Sequence, residues 1–276
     1  MTLIKSIKEI AISRAEECTK IVGDRYLTSI VPVYGVSKRA TPDLIGTGFL
    51  LSVQGAPFFV TAAHVIDHNE VTSLYFGNGS NLAMIEGDFR ATNLPKNGRD
   101  DDHYDFAYWK LTDAMLDELG SPQFFMETDI SKNRGTLNRR QFLVMGYPIS
   151  INEKPNVPEL KVQAQLWTYQ GMHVENAKLA RKLKVTGNDH FFIKYQKRSK
   201  NYNGNIVNSI SPIGVSGGVL IDLGLPSLGN LAADAACTGL LAGLAIEHHA
   251  DHKSMVFVRI ELIVEKIKQD MLEQLV

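Results

Sequence analysis

Cysteine is scarce in this chain: Cys18 and Cys237 are the two it has in 276 residues. Two thiols so distant in sequence do not make the bridge framework that staples many small secreted domains, so a reducing, cytoplasmic home is expected. Neither a C-x-x-C nor an H-E-x-x-H spacing occurs, and no metal or cofactor is expected. An excess of one charge is lacking too. With a formal net charge of −1, no global field recruits nucleic acid or an anionic membrane, and neither is expected as a partner. Lys194, Lys197, Arg198 and Lys200 form a local basic cluster of the kind that sits in a solvated loop. Long apolar runs are missing: Leu240 to Ile246 is too short to span a bilayer. Leu3 to Ile10 is interrupted by Lys5, Lys8 and Glu9, which excludes a secretory core there. Internal repeats and low-complexity tracts are absent as well.

What is present is enough apolar residue, 44% of the chain, to fill a sizeable core. Residues 1–22 read as an amphipathic helix, because Leu3, Ile4, Ile7, Ile10, Ala11, Ala15, Cys18 and Val22 recur at three- and four-residue intervals. Such a helix packs on the outside of the domain; the sharper alternative is a docking element for a regulatory protein partner. After Gly23 the texture becomes short β-prone runs: Leu27–Val36, Thr47–Val53, Pro57–Ala62, Val71–Phe76 and Phe106–Leu111. Gly, Pro, Asn and Asp punctuate them, as in antiparallel sandwiches and barrels. Gln54-Gly55-Ala56 predicts a hairpin between two of these runs. Leu116 to Arg140 reads as an irregular link between lobes. Strand-like runs resume at Gln141–Gly146, Leu160–Thr168, His190–Tyr195, Val219–Asp222, Leu240–Ile246 and Met255–Ile260, with helical spacing over Val174–Leu183. The end, residues 263–276, predicts a helix packed on the second lobe, with Leu262, Ile263, Ile267, Met271 and Leu275 on one stripe.

Three segments carry chemistry. Thr61-Ala62-Ala63-His64-Val65 follows a β-rich run. Asp105-Phe106-Ala107-Tyr108-Trp109 opens another, and Gly214-Val215-Ser216-Gly217-Gly218 precedes a third. Singly each is weak: a histidine after a strand is usually structural, and an aspartate before an apolar run is common. Their joint occurrence in the order His, Asp, Ser resembles the chymotrypsin/trypsin clan of serine peptidases. In that clan the histidine sits in T-A-A-H, the aspartate opens a D-[apolar]-A-[apolar] strand, and the serine sits in G-x-S-G-G. The likeness covers roughly residues 25 to 262, a plausible span for one large domain.

That resemblance implies an all-β fold of two six-stranded antiparallel barrels, about 23–135 and about 136–262, flanked by the N- and C-terminal helices. It also implies a serine endopeptidase acting on a protein or peptide. A serine hydroxyl is a poor nucleophile until an imidazole accepts its proton. His64 would be that base, and then the acid for the leaving amine. Asp105 would hold its tautomer, and the N–H groups of Gly214 and Ser216 would meet the developing oxyanion. The same glycine–serine segment matches a nucleophile elbow, but Gly217 to Ile221 is a poor helix start and too little chain follows Ser216 for that fold. Asp100, Asp101 and Asp102 read as a solvated loop beside His103. His68 lies beyond the T-A-A-H block. His248, His249 and His252 near Asp251 read as exposed loop histidines.

Lys20-Ile21-Val22-Gly23 mimics a zymogen activation site, but Val215 stands where the aspartate partner of a freed amine would be, so the string reads as coincidence. The specificity pocket of the clan is implied at Ile210 and along the later strand at Gly243, Leu244 and Ala245, which predicts a small or medium apolar side chain before the cut bond. Glu247 and His248 stand close enough to alter that. The ending, Met255 to Ile260 and a helix, is similar to high-temperature-requirement and other non-digestive bacterial proteases, without a PDZ domain after it. The alternative from another functional class is a binding module on a protease fold.

Overall fold

Gln54 and Gly55 both adopt positive φ, 50° and 79°, the combination that lets a two-residue turn follow the twist of the strands it joins. The turn links β2 (Pro42–Val53) to β3 (Ala56–Thr61) in unbroken register from Gly48↔Thr61 to Val53↔Ala56. In this computed structural model, residues 6–38, 41–120, 122–135, 137–138, 140–152, 162–200, 205–225, 232 and 235–273 are described. β1 (Ile30–Val36) pairs with the other edge of β2, with a bulge at Val33/Tyr34. β4 (Tyr75–Asn78) and β5 (Asn81–Met84) extend the sheet beyond β1, while β6 (Arg90–Ala91) and β7 (Ala107–Lys110) extend it beyond β3. The result is an antiparallel sheet of seven strands in the order β5-β4-β1-β2-β3-β7-β6, one more than expected. Its interior is aromatic: Phe59 packs on Phe76 and Trp109 with ring centres 4.4 and 4.5 Å apart.

The second sheet contains β8 (Gln141–Gly146), β9 (Trp167–Met172) and β10 (His190–Lys194). After a separate two-stranded ribbon, β11 (Arg198–Lys200) and β12 (Ile206–Asn208), it is completed by β13 (Val219–Gly224), β14 (Leu240–His249) and β15 (Ser254–Arg259). Six antiparallel strands run in the order β10-β15-β14-β13-β8-β9. Its two edges approach one another, since His173 bridges to Ile193 and the Val174 N–H reaches the Phe192 carbonyl at 2.9 Å. The sheet therefore curls back on itself.

Nine of the eleven expected strands are present, six of them within two residues at each end. Of the other three, β1 starts three residues late, β2 starts five residues early and β14 ends three residues late. The Val71–Phe76 run is not among them: Val71 is 81% exposed, and β4 begins at Tyr75. Of Leu160–Thr168, residues 160 and 161 lie outside the described set, and the strand itself starts at Trp167. The supposed link after Leu116 begins inside a helix, Asp113–Leu119, capped by the Thr112 hydroxyl and closed by Gly120 at φ 69°.

The helices do more than cover the sheets. The N-terminal helix α1 (Ile7–Tyr26) starts at a capping box in which Ser6 and Glu9 exchange hydrogen bonds. It buries Val22 and Tyr26, and the Tyr26 hydroxyl donates to the Gly239 carbonyl at 2.8 Å. Cys18, on this helix, is disulfide-bonded to Cys237 just before β14. This departs from the expectation that two thiols so distant in sequence suit a reducing home: pairing needs only spatial proximity, which sequence distance does not report. Disulfides persist in oxidising compartments, so the thiol count no longer speaks for a reducing home. Among the described residues no helix is long and apolar enough to cross a membrane. The C-terminal helix, Ile260–Glu273, buries Ile263 and Ile267 as expected. It is not confined to the second sheet, because Asp270 accepts a 2.6 Å hydrogen bond from the Tyr108 hydroxyl of β7.

Candidate active site

The antiparallel pairing of β3 with β7 sets Thr61 opposite Ala107. His64, three residues past Thr61, and Asp105, two before Ala107, therefore leave the sheet side by side. A short helix α2 (Ala63–Asp67) begins at that point and turns the imidazole back over the loop. His64 Nδ1 lies 2.5 Å from Asp105 Oδ2, and the His64 backbone N–H donates to Asp105 Oδ1 at 2.9 Å. The Ala63 N–H donates to the Asp105 carbonyl as well, at 3.1 Å. Both carboxylate oxygens are thus engaged by one residue, which fixes the ring orientation and presents Nε2 to the cleft. The carboxylate is 4% exposed and the imidazole 35%. Burial alone would lower the proton affinity of His64; the hydrogen bond and charge of Asp105, aided by Asp67, outweigh it and raise the pKa above the ordinary histidine value.

Asp105 sits at φ 41°, a left-handed conformation unfavourable for a residue with a side chain. A second carboxylate holds it there. Asp102 accepts from the Asp105 N–H at 3.0 Å and from the Tyr104 N–H at 3.2 Å. Asp102 is itself held by Arg99 Nη1 at 2.8 Å and by the Thr92 hydroxyl, and Arg99 grips Asp67 of α2 through Nε and Nη2, at 2.8 and 3.0 Å. Asp102 is buried, which corrects the reading of Asp100–Asp102 as solvated: Asp100 and Asp101 are exposed, Asp102 is not. The D-x-x-D spacing, with a short polar side chain able to accept from backbone N–H groups ahead of it, was the available signal.

Ser216 arrives from the other sheet. Its loop is latched to β2: the Thr47 N–H donates to the Ser216 carbonyl at 2.9 Å, and the Thr47 hydroxyl donates to the Gly214 carbonyl at 2.8 Å while accepting from the Tyr147 N–H at 2.8 Å. Only glycine fits at 217, where φ is 83° and a Cβ would lie 1.9 Å from the Thr47 carbonyl oxygen. Gly214, at φ 94°, would drive a Cβ to 2.8 Å from the Tyr147 carbonyl oxygen. Among the described residues, the N–H groups of Gly214 and Ser216 donate to no carbonyl, and both residues line one cleft with His64. Thr47 was not singled out in the sequence, since nothing in T-G-F distinguishes a latch from an ordinary strand threonine.

The cleft encloses about 960 Å³ between the two sheets. On the first-sheet side it is lined by the β1–β2 hairpin, His68, Val71 and Thr72; on the second-sheet side by Ile149, Pro212, Ile213, Gly214, Ser216 and His248. The residues expected to form the specificity pocket stand elsewhere. Gly243, Leu244 and Ala245 are buried in β14, and Ile210 accepts from the Tyr195 hydroxyl outside the lining. The Ala245 N–H and carbonyl are both spent on the Ser216 turn, to Gly218 and from Gly217 at 2.8 Å each. His64 and Ser216 share the cleft, but no hydrogen bond joins them among the described residues. Lys20 to Gly23 lie inside α1, and Val215 is fully buried. No group of three or more His, Cys, Asp or Glu among the described residues is arranged to hold a metal ion.

No protein-family model matches the chain, and no curated protein matches it. Among solved structures, one described as a thermostable serine protease, AL20, from an extremophilic microorganism is 13% identical over 84% of this chain and 90% of that one, with a TM-score of 0.46. Another, from work on the coupled folding and binding of the intrinsically disordered VPg protein of Sesbania mosaic virus, is 12% identical over 86% of this chain and 88% of that one, with a TM-score of 0.48. Likenesses at this level define neither fold nor activity, which rest on the chain's own geometry.

Proposed function

We propose that the chain is a serine endopeptidase in which Ser216 attacks a peptide carbonyl, His64 moves the proton and Asp105 orients His64. The two sheets are read as the two barrels of a chymotrypsin-like fold with the cleft between them. The observation that carries this reading is the pairing of a buried carboxylate, spent entirely on one histidine, with a serine from the opposite sheet in the same cleft. In the reaction, Ser216 Oγ bonds to the carbonyl carbon as its proton passes to His64 Nε2. The negative oxygen is received by the Gly214 and Ser216 N–H groups. His64 then returns the proton to the leaving amine, and water repeats the sequence to release the acid. Loss of one oxyanion donor typically costs about 2.7–4 kcal/mol. The substrate is a protein or peptide; the chemistry needs no metal or cofactor.

One observation favours a second reading, a binding module on this fold: the missing hydrogen bond between His64 and Ser216. Catalytic hydrogen bonds are often long without substrate and tighten on binding, so the peptidase reading stands first. A fluorophosphonate probe separates them. Stoichiometric labelling at Ser216, lost in Ser216→Ala and strongly slowed in His64→Ala, is the expected result; absence of labelling in the intact protein supports the binding module instead.

A further inference from the structure

If Ser216 attacks and His64 protonates the leaving amine, the two walls of the cleft take different halves of the substrate. The amine half lies on the His64 side, against His68, Val71, Thr72 and the β1–β2 hairpin. The acyl half lies on the oxyanion side, whose lining is Ile149, Pro212, Ile213, Gly214, Ser216 and His248. Among the described residues, His248 is the single ionisable side chain on that wall. Strand alternation places it there: Glu247 and His249, its neighbours on β14, turn the other way and pair with one another, and Glu247 also binds His103 Nδ1 at 2.8 Å. The carboxylate of Glu247 is therefore occupied from both sides and is not part of the cleft lining.

We infer that His248 selects an acidic side chain at the residue immediately before the cut bond, a substrate class different from the apolar one expected at sequence level; the inference rests on the peptidase reading above. The imidazole lies perpendicular to the Tyr195 ring, centres 5.4 Å apart, which orients its plane where it lines the cleft. Burial, and next the neighbouring His249, hold its proton affinity below the ordinary value. An arriving carboxylate favours the protonated ring and completes an ion pair with it. A lysine or arginine side chain finds no anion on this wall. An aliphatic one finds Ile149 and Ile213, but Ile213 is 68% exposed and gives little enclosure.

Four fluorogenic peptides differing only in the residue before the cut bond, Glu, Gln, Leu or Lys, test this on the full chain, with fluorophosphonate labelling run alongside. Expected is a kcat/KM for Glu at least about tenfold above Gln, Leu and Lys, the size of one added ionic hydrogen bond. His248→Val should lower the Glu-to-Leu ratio about tenfold or more. His248→Gln, which keeps hydrogen bonding without charge, should bring the Glu-to-Gln ratio towards one, and serves alone if the valine variant does not fold. Labelled protein that prefers Leu or Lys, that treats Gln and Glu alike, or whose ratios survive both substitutions overturns the inference while leaving the peptidase reading intact. Unlabelled protein overturns the reading itself.

Discussion

At the scale of single residues, the pair His64–Asp105 makes the sharpest claim about pH. In the proposed reaction His64 must be neutral to accept the Ser216 proton, and pairing with Asp105 raises its pKa. Activity is therefore lost as pH falls through a value above the ordinary histidine pKa of about 6.5, not below it. Asp105→Asn removes the charge and one of the two acceptor oxygens; with the amide oxygen on the His64 backbone N–H, the NH2 group faces Nδ1 and imposes the wrong tautomer. On the precedent of serine enzymes treated this way, kcat falls on the order of 10⁴-fold, and the residual activity should show its acid limb displaced to lower pH. A rate–pH profile of both proteins checks the direction. An acid limb that stays put in the variant would mean Asp105 does not tune His64.

Element by element, what could be read in advance follows from how local each signal is. The β2–β3 hairpin was legible because Gln54-Gly55 declares its own turn and the flanking runs are β-branched and aromatic. β8, β14 and β15 were legible as continuous buried apolar runs. Two-residue β6 and β12, exposed at all three of its residues, carry no such run. Val71 misled because a β-branched residue on a cleft rim looks the same in sequence as one in a core. The three site segments were legible as motifs, but the latch and clamp that hold them were not: Thr47 and Asp102 act across elements, through backbone groups whose positions only the fold supplies. Thr47 gives the test at this scale. In Thr47→Val the shape is kept, while the Gly214 carbonyl and Tyr147 N–H lose their buried partner, which costs about 2–3 kcal/mol and about 5–10 °C in Tm. Because Gly214 carries one of the two N–H groups meant for the oxyanion, kcat should fall more than KM rises. A variant that melts lower but keeps its kcat would restrict Thr47 to a structural role.

Across the whole molecule, the N-terminal helix is tied to a stretch far along the chain, just before β14. The disulfide joins α1 to the residue stretch entering β14, a separation of 219 positions, and β14 goes on to hold the nucleophile turn through Ala245 and to present His248 to the cleft. Around the disulfide, the Arg14 side chain donates to the Ala235 carbonyl, Arg25 to the Cys237 carbonyl at 3.4 Å and Tyr26 to the Gly239 carbonyl at 2.8 Å, and Tyr26 stacks on Phe125 at 4.4 Å. The helix thus has its own non-covalent attachment, and the covalent link acts chiefly by restricting the unfolded chain. For so long a loop the entropic model gives about 5 kcal/mol, near the top of the observed range. Reduction, or the Cys18→Ser and Cys237→Ser double variant, should lower Tm by about 10 °C or more. At temperatures well below that transition, labelling of Ser216 should proceed at an undiminished rate, since α1 stays docked by Val22, Tyr26 and their hydrogen bonds. If labelling instead disappears on reduction while the protein remains folded by circular dichroism, the bond governs the geometry of β14 as well as the stability of the chain.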